Sequence, residues 1–346
     1  MKQATHLLVI RLSAMGDVAM TIPVIKALTE QHPNLKITVL SKPFLKPLFE
    51  GLKNVSFFEA DVKGNHQGFF GLLTLFKDLK QLKIDGVADL HNVLRSIILR
   101  TLFKLFFLKT AVVAKGRKEK RALTRTKNKV FKQLKTTHER YADVFRKLGF
   151  SVDLKNPSKV NKLALNQEII NISGEKQSKW IGIAPFAQYQ SKMYPLDLMT
   201  VVISALSKHK NIKIFLFGGG SKEVEILNKI AQKFDNTINI AGQLKLDNEL
   251  VLISNLDCML SMDSGNAHFA AMLHIPTITI WGVTHPYTGF APFNQPLENC
   301  LLPDLKKYPN IPCSIYGNKV CDGYDNVMRT INPEVIITKI LKILKL

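Results

Sequence analysis

With 346 residues, 46% of them hydrophobic, the chain can bury two cores rather than one. No run reaches the roughly 18 uncharged apolar residues of a membrane helix, and the best, 97–108, is broken by Arg100 and Lys104. The net charge of +21 points to polyanionic partners, but it is local: residues 101–150 hold fifteen Lys or Arg against Glu119, Glu139 and Asp143.

Taken in chain order, the pattern predicts a strand at 7–11, a helix at 18–31, strands at 36–40 and 54–58, and a helix at 69–82. A strand at 85–90, a helix at 93–107, a strand at 110–114 and a helix at 138–148 follow. This alternation implies a parallel sheet with helices on both faces. Residues 1–160 form the expected first domain. The polar stretch 161–178 reads as a linker, and the rhythm restarts in a second domain, 179–332. Its strands are expected at 180–185, 212–220, 237–240, 257–262 and 276–282. Helices are expected after Pro195 and at 222–234, 248–254 and 265–273, and a C-terminal helix at 333–346 closes the chain. Two doubly wound domains of this kind place the carboxyl ends of their strands across a central cleft, where such folds bind ligands.

The residues at those strand ends limit the chemistry. The turn after the first strand, LSAMGD, has one glycine, so neither a dinucleotide fingerprint nor a P-loop is present. It offers instead the carboxylate of Asp17 at the start of a helix, as an N-terminal helix residue or as a general base for an acceptor hydroxyl. In APFAQYQSKMYP, Lys192 stands just before a Pro-initiated helix, a place suited to an anion. In SMDSGNAHFAAML a strand ends at Asp263 and a helix opens at Ser264 and Gly265, with His268 a turn further on. Small residues and free amide groups make this a diphosphate cradle. In FGGGSKEVE, Glu223 can accept both hydroxyls of a ribose. No Asp-x-Asp pair is present to hold a divalent ion, and no G-x-S-x-G elbow, so neither a metal nor a hydrolase triad is expected. Cys313 and Cys321 read as structural, and Cys258 as a buried thiol of a cytoplasmic protein.

Together RLSAMGDVAMTIPVIKAL (11–28), SKMYP (191–195), DSGNAHFAAMLHIPTITIWGVTHP (263–286) and CDGYDNVMRTINPEV (321–335) resemble glycosyltransferase family 9, the ADP-heptose:lipopolysaccharide heptosyltransferases. The resemblance implies a GT-B fold of two Rossmann-like domains and an inverting, metal-independent enzyme without cofactor. It matches Asp17 to the catalytic base and Lys192 to the lysine on the donor phosphates. Glu223 matches the ribose-binding acid, Leu244 a place near the adenine, and Asp263, Ser264, Gly265 and His268 the phosphate and sugar cradle. The expected partners are a nucleotide-diphosphate sugar, ADP-heptose, and an anionic lipid-linked glycan, met at the cytoplasmic face of the inner membrane through peripheral contact. Lys115, Arg117, Lys118, Lys120 and Arg121 are expected to dock the first domain on that acceptor. Ala187, Gln188 and Tyr194 depart from the Thr or Ser pairs and the Trp that family members often carry around the lysine. Nucleic-acid binding explains only the charge, since 115–135 has little aromatic interleaving for stacking on bases.

Overall fold

The computed structural model describes residues 5–346. Contacts divide the chain into two units: 1–115 with 137–158, and 116–136 with 159–346.

The first unit contains β1 (His6–Ile10), α1 (Met15–Ala19), α2 (Ile22–Gln31), β2 (Lys36–Ser41), β3 (Val55–Glu59) and α3 (Gly68–Lys80). After these come β4 (Gly86–Asp89), α4 (Leu94–Leu105), β5 (Lys109–Val112) and, beyond an excursion into the other unit, α6 (Thr137–Leu148). The sheet order is β3-β2-β1-β4-β5, all parallel. β1 reads HLLVI without polar alternation because helices cover both faces of the sheet and its last four residues are buried. Leu8, Ile10, Leu40, Leu75, Phe76, Val87, Leu99 and Phe103 form one core. Each large apolar side chain buried there stabilises the unit by about 1.5–3 kcal/mol. The helix expected at 18–31 is two helices. Thr21 ends the first by hydrogen-bonding its hydroxyl to the Val18 carbonyl, and Pro23 fits the first turn of the second.

The second unit holds α5 (Arg117–Thr124), α7 (Gln167–Ser173), β6 (Lys179–Ala184), α8 (Leu196–Ser207), β7 (Ile212–Leu216), α9 (Ser221–Ala231) and β8 (Thr237–Asn239). It continues through α10 (Leu246–Ser254), β9 (Cys258–Met262), α11 (Gly265–Met272), β10 (Thr277–Ile280), β11 (Cys300–Leu301) and α12 (Pro333–Leu344). Its parallel sheet runs β11-β10-β9-β6-β7-β8.

Two boundaries differ from the sequence reading. Residues 116–136 group with the second unit, not with the first domain of 1–160. The stretch 161–178 is not a bare linker: it contains α7, capped by the Asn166 side chain, and Lys176 pairs with Asp257 at 2.9 Å. Its single buried aliphatic, Ile169, gave too short a period to stand out. Cys313 and Cys321 are joined in a disulfide, while Cys258 is a buried thiol whose pKa burial pushes up to about 12.

Candidate active site

In each sheet the strand order reverses direction once, between β1 and β4 in the first and between β6 and β9 in the second. The loops leaving neighbouring strands part there and open a crevice at the carboxyl edge. Asp17 lies at the first of these points, and Lys192 and Asp263 lie at the second.

In the first unit, Arg11 follows β1 and Asp17 is the third residue of α1. An Arg11 guanidinium nitrogen lies 2.5 Å from Asp17 Oδ2, and another donates to the Leu90 carbonyl at 2.7 Å. The same guanidinium sits 5.8 Å from the Tyr141 ring centre, and the Tyr141 hydroxyl donates to the Asp17 carbonyl at 3.4 Å. Arg11 is buried, while the Asp17 side chain keeps 29% of its surface exposed. The Ala14 amide also reaches Oδ2, at 3.4 Å. Both contacts fall on Oδ2.

Across the reversal point, His91 follows β4. Its Nδ1 accepts from the Leu12 amide at 3.4 Å, so the neutral ring carries its proton on Nε2. Burial, reinforced by Arg11 and Lys115, lowers its pKa from 6.5 to about 4. The buried Asp89 carboxylate shapes this loop: it accepts from the His91 and Asn92 amides at 2.9 and 2.7 Å and pairs with Arg100 at 2.9 Å. Arg11, His91 and Tyr141 were not among the expected site residues. An arginine ending a strand of aliphatics was the one signal available, since a charge there needs a buried partner.

In the second unit Lys192 ends a 3-10 turn after β6, and its Nζ lies 2.9 Å from Asp263 Oδ2, at the end of β9. The fully buried Thr284 donates its hydroxyl to the same oxygen at 2.9 Å. Glycines press three loops together around this group. A Cβ at Gly282 would overlap the Ser191 carbonyl, and one at Gly317, where φ is +87°, would overlap the Lys192 side chain. Ser264 precedes α11 in extended conformation, with its hydroxyl 3.1 Å from that of Ser261, and Gly265 opens the helix. The first amides of α11 have no partners within their own helix and face the end of β9. His268 is buried one turn along. Glu223 lies in the first turn of α9 and accepts from the Gly219 amide at 2.8 Å, so it folds the glycine loop around itself. Leu244, half-buried, follows β8.

Asp263, Lys192, Glu223 and Leu244 thus follow four adjacent strands, β9, β6, β7 and β8, at the carboxyl edge of the sheet, and of these Asp263 and Lys192 are in contact. A cavity of about 620 Å³ opens beside that edge, between the start of α8, Glu223 and Ile226 of α9, and Tyr324, Asn326 and Arg329 of the tail. Lys192 and Asp263 do not line that cavity. Among the described residues no three His, Cys, Asp or Glu side chains group as metal ligands, and no helix is long and apolar enough to cross a membrane.

The five cations expected to dock the first domain are divided between the two units. Lys115 belongs to the first unit and donates to the Asn92 carbonyl at 2.9 Å, whereas the other four belong to the second. Lys120 is buried, its ammonium 4.5 Å from the Phe290 ring centre and 5.7 Å from that of Tyr316, so a docking role for it is corrected. Arg117, Lys118 and Arg121 are at most half-buried on α5. The rest of 116–136 is a strap on the second unit. Lys129 donates to the Asn310 and Pro312 carbonyls at 2.8 and 2.9 Å, and Phe131 packs on His285 and Tyr287. Burial lowers the Lys129 pKa to about 8.

A family model described as glycosyltransferase family 9 (heptosyltransferase) matches residues 72–315. Lipopolysaccharide core heptosyltransferase OpsX of Haemophilus influenzae is 26% identical over 298 residues, 85% of this chain and 83% of that one. Among solved structures, a family 9 glycosyl transferase from Veillonella parvula superposes with a TM-score of 0.76 at 18% identity, covering 99% of this chain and 98% of that one. The ADP-heptose lps heptosyltransferase II of E. coli superposes with a TM-score of 0.69 at 19% identity, covering 98% of each chain. At such identities the likeness is one of fold, and the fold is GT-B.

Proposed function

This chain belongs to glycosyltransferase family 9 and is a glycosyltransferase, and from that premise we propose that it transfers heptose from ADP-heptose to a lipopolysaccharide core-type acceptor by a single inverting displacement without a metal. The observation that carries this reading is the order of Asp263, Lys192, Glu223 and Leu244, which follow the adjacent strands β9, β6, β7 and β8, with the first two paired. It offers, in order, a sugar and phosphate end, a cation, a ribose-binding carboxylate and an apolar contact for a base.

Asp17 takes the proton of the acceptor hydroxyl on Oδ1 while Arg11 fixes Oδ2. The hydroxyl oxygen attacks the anomeric carbon from the face opposite the diphosphate, the C–O bond to phosphate breaks, and the configuration inverts. Such a base contributes about 10²- to 10⁴-fold. The leaving diphosphate gains negative charge, which Lys192 and the amides opening α11 at Gly265 stabilise, by a few kcal/mol for a well-placed donor. Asp263 is itself an anion and a poor phosphate ligand. Its carboxylate suits the orienting of Lys192 and a hydroxyl of the sugar, with Ser264 and His268 completing the cradle. Arg117, Lys118 and Arg121 attract the anionic acceptor. Because that acceptor is lipid-linked, the protein works in peripheral contact with the cytoplasmic face of the inner membrane.

The test is incubation with ADP-heptose and a lipid-linked core acceptor, with the anomeric configuration of the new linkage read by NMR. Release of ADP with formation of an inverted linkage, undiminished by a chelator, supports the reading. A retained configuration, or activity lost to the chelator and restored by Mg²⁺, overturns the inverting or the metal-free part.

A further inference from the structure

Exposed large apolar side chains of the first unit fall at both ends of its sheet, and only one set shares the end of Asp17. Every strand is parallel, so α3 and α4, which leave β3 and β4, both begin at the carboxyl edge, the edge that carries Asp17. The two helices pack side by side. At their starts Phe69, Phe70 and Leu94 are 59%, 82% and 74% exposed, with the two phenylalanine rings edge to face at 5.9 Å.

We propose that Phe69, Phe70 and Leu94 form a surface that docks on an anionic phospholipid bilayer and holds Asp17 at the height of a lipid-anchored acceptor. Single exposed apolar residues are ordinary, but two neighbouring phenylalanines and a leucine at helix starts on one edge of a sheet are a concentration of them. Charge selects the occupant. Neither helix has an acid in its first turn, so the positive end of each dipole is left without a carboxylate. Exposed Lys63 and Arg95 flank the patch. Asp61, in the loop entering α3, accepts from the Gly64 and Asn65 amides and is the acid of that loop. Apolar tips beside two helix starts without an acid, with Lys63 and Arg95 next to them, match the boundary between headgroup and acyl chain in an anionic leaflet. The other exposed set, Leu105, Phe106 and Phe107, lies at the end of α4, at the opposite edge. There Phe106 packs on Phe76, and Lys80 lies 3.9 Å from its ring centre. Docking by that end would turn Asp17 away from the bilayer.

The inference rests on the acceptor being lipid-linked only for its kinetic arm. In the first arm the full chain is sedimented with vesicles of phosphatidylcholine alone or mixed with phosphatidylglycerol. Wild type should partition onto the mixed vesicles, and Phe69→Ser/Phe70→Ser/Leu94→Gln should lose at least about tenfold in partition, with Tm unchanged because these side chains are exposed. Leu105→Ser/Phe107→Ser should partition like wild type. In the second arm the triple variant should raise KM for the acylated acceptor and leave KM for a de-acylated one, and affinity for ADP, unchanged. Equal partition of wild type and triple variant overturns the proposal. So does loss of binding in the variant at the other end, or a dimer in light scattering that the triple variant disperses, which would mark the patch as a contact between copies. If the chain transfers no heptose at all, the vesicle arm still decides.

Discussion

The two reversal points are built in opposite ways. In the first unit Asp17 stands on a five-residue helix, partly exposed, steadied by one buried arginine and a tyrosine. In the second, Lys192, Asp263 and Thr284 are enclosed and locked by loops that meet at Ser191, Gly282 and Gly317. A proposed base must admit a hydroxyl and take its proton, so it needs an open oxygen. A charge stabiliser for a leaving diphosphate gains from burial and from fixed geometry, because its dipoles then do not reorganise during the reaction.

The comparison breaks most visibly at Asp17. Asp17→Asn keeps the shape and removes the basic oxygen, so turnover should fall about 10²- to 10⁴-fold while ADP affinity by calorimetry stays unchanged. Turnover within tenfold of wild type would remove Asp17 from the mechanism. Lys192→Ala acts on the enclosed side and should do two things at once. ADP affinity should fall by at least about tenfold, and stability by about 3 kcal/mol because Asp263 loses its buried partner. Unchanged ADP affinity would place the diphosphate elsewhere. Gly282→Ala sharpens the contrast without touching a charge: its methyl overlaps the Ser191 carbonyl, so the turn carrying Lys192 must shift. It should weaken ADP binding several-fold and also lower turnover at saturating donor, because the displaced Lys192 no longer meets the charge developing on the leaving diphosphate.

Acid pH offers a milder test, since each unit holds a buried histidine whose pKa is lowered. The pKa of His91 and that of His285 are each lowered from 6.5 to about 4, chiefly by burial. The unfolded chain therefore binds more protons than the folded one between these values. Stability is full above about pH 6.5 and declines as pH falls towards 4, by up to about 3 kcal/mol for each histidine. Denaturant titrations from pH 7 to 4.5 should show this loss. His91→Gln should flatten it by about half, and an unaltered slope would mean that the ring is already charged.

Much of the fold was legible because central parallel strands, buried on both faces, read as unbroken aliphatic runs such as HLLVI and CMLSM. α5 was not, because RKEKRALT offers little apolar periodicity, and its partners, Phe290 and Tyr316, lie far along the chain. At the site, Asp17, Lys192 and Asp263 stood out because each ends a strand or opens a helix within a short motif. Thr284 and Gly317 did not. Their roles exist only where segments near 191, 263, 284 and 317 converge, and no local pattern encodes that meeting.

The strap at 116–136 gives the finest comparison, because one turn of α5 carries cations of two kinds. Lys120 is buried against the Phe290 and Tyr316 rings, whereas Arg117, Lys118 and Arg121 are not. A desolvated ammonium over an aromatic ring contributes about 0.5–2 kcal/mol, and that energy is screened little by salt. Lys120→Gln should therefore lower Tm slightly, equally at low and high salt, without changing the acceptor KM. Replacing Arg117, Lys118 and Arg121 with Gln should do the reverse: Tm holds, the acceptor KM rises a few-fold at low salt, and the difference fades as salt shortens the screening length below about 10 Å. Steady-state kinetics at two ionic strengths, with thermal melts alongside, separate the two. If both variants moved KM alike, Lys120 would have to leave its rings to meet the acceptor. If neither did, α5 would serve only to fasten the strap to the second unit.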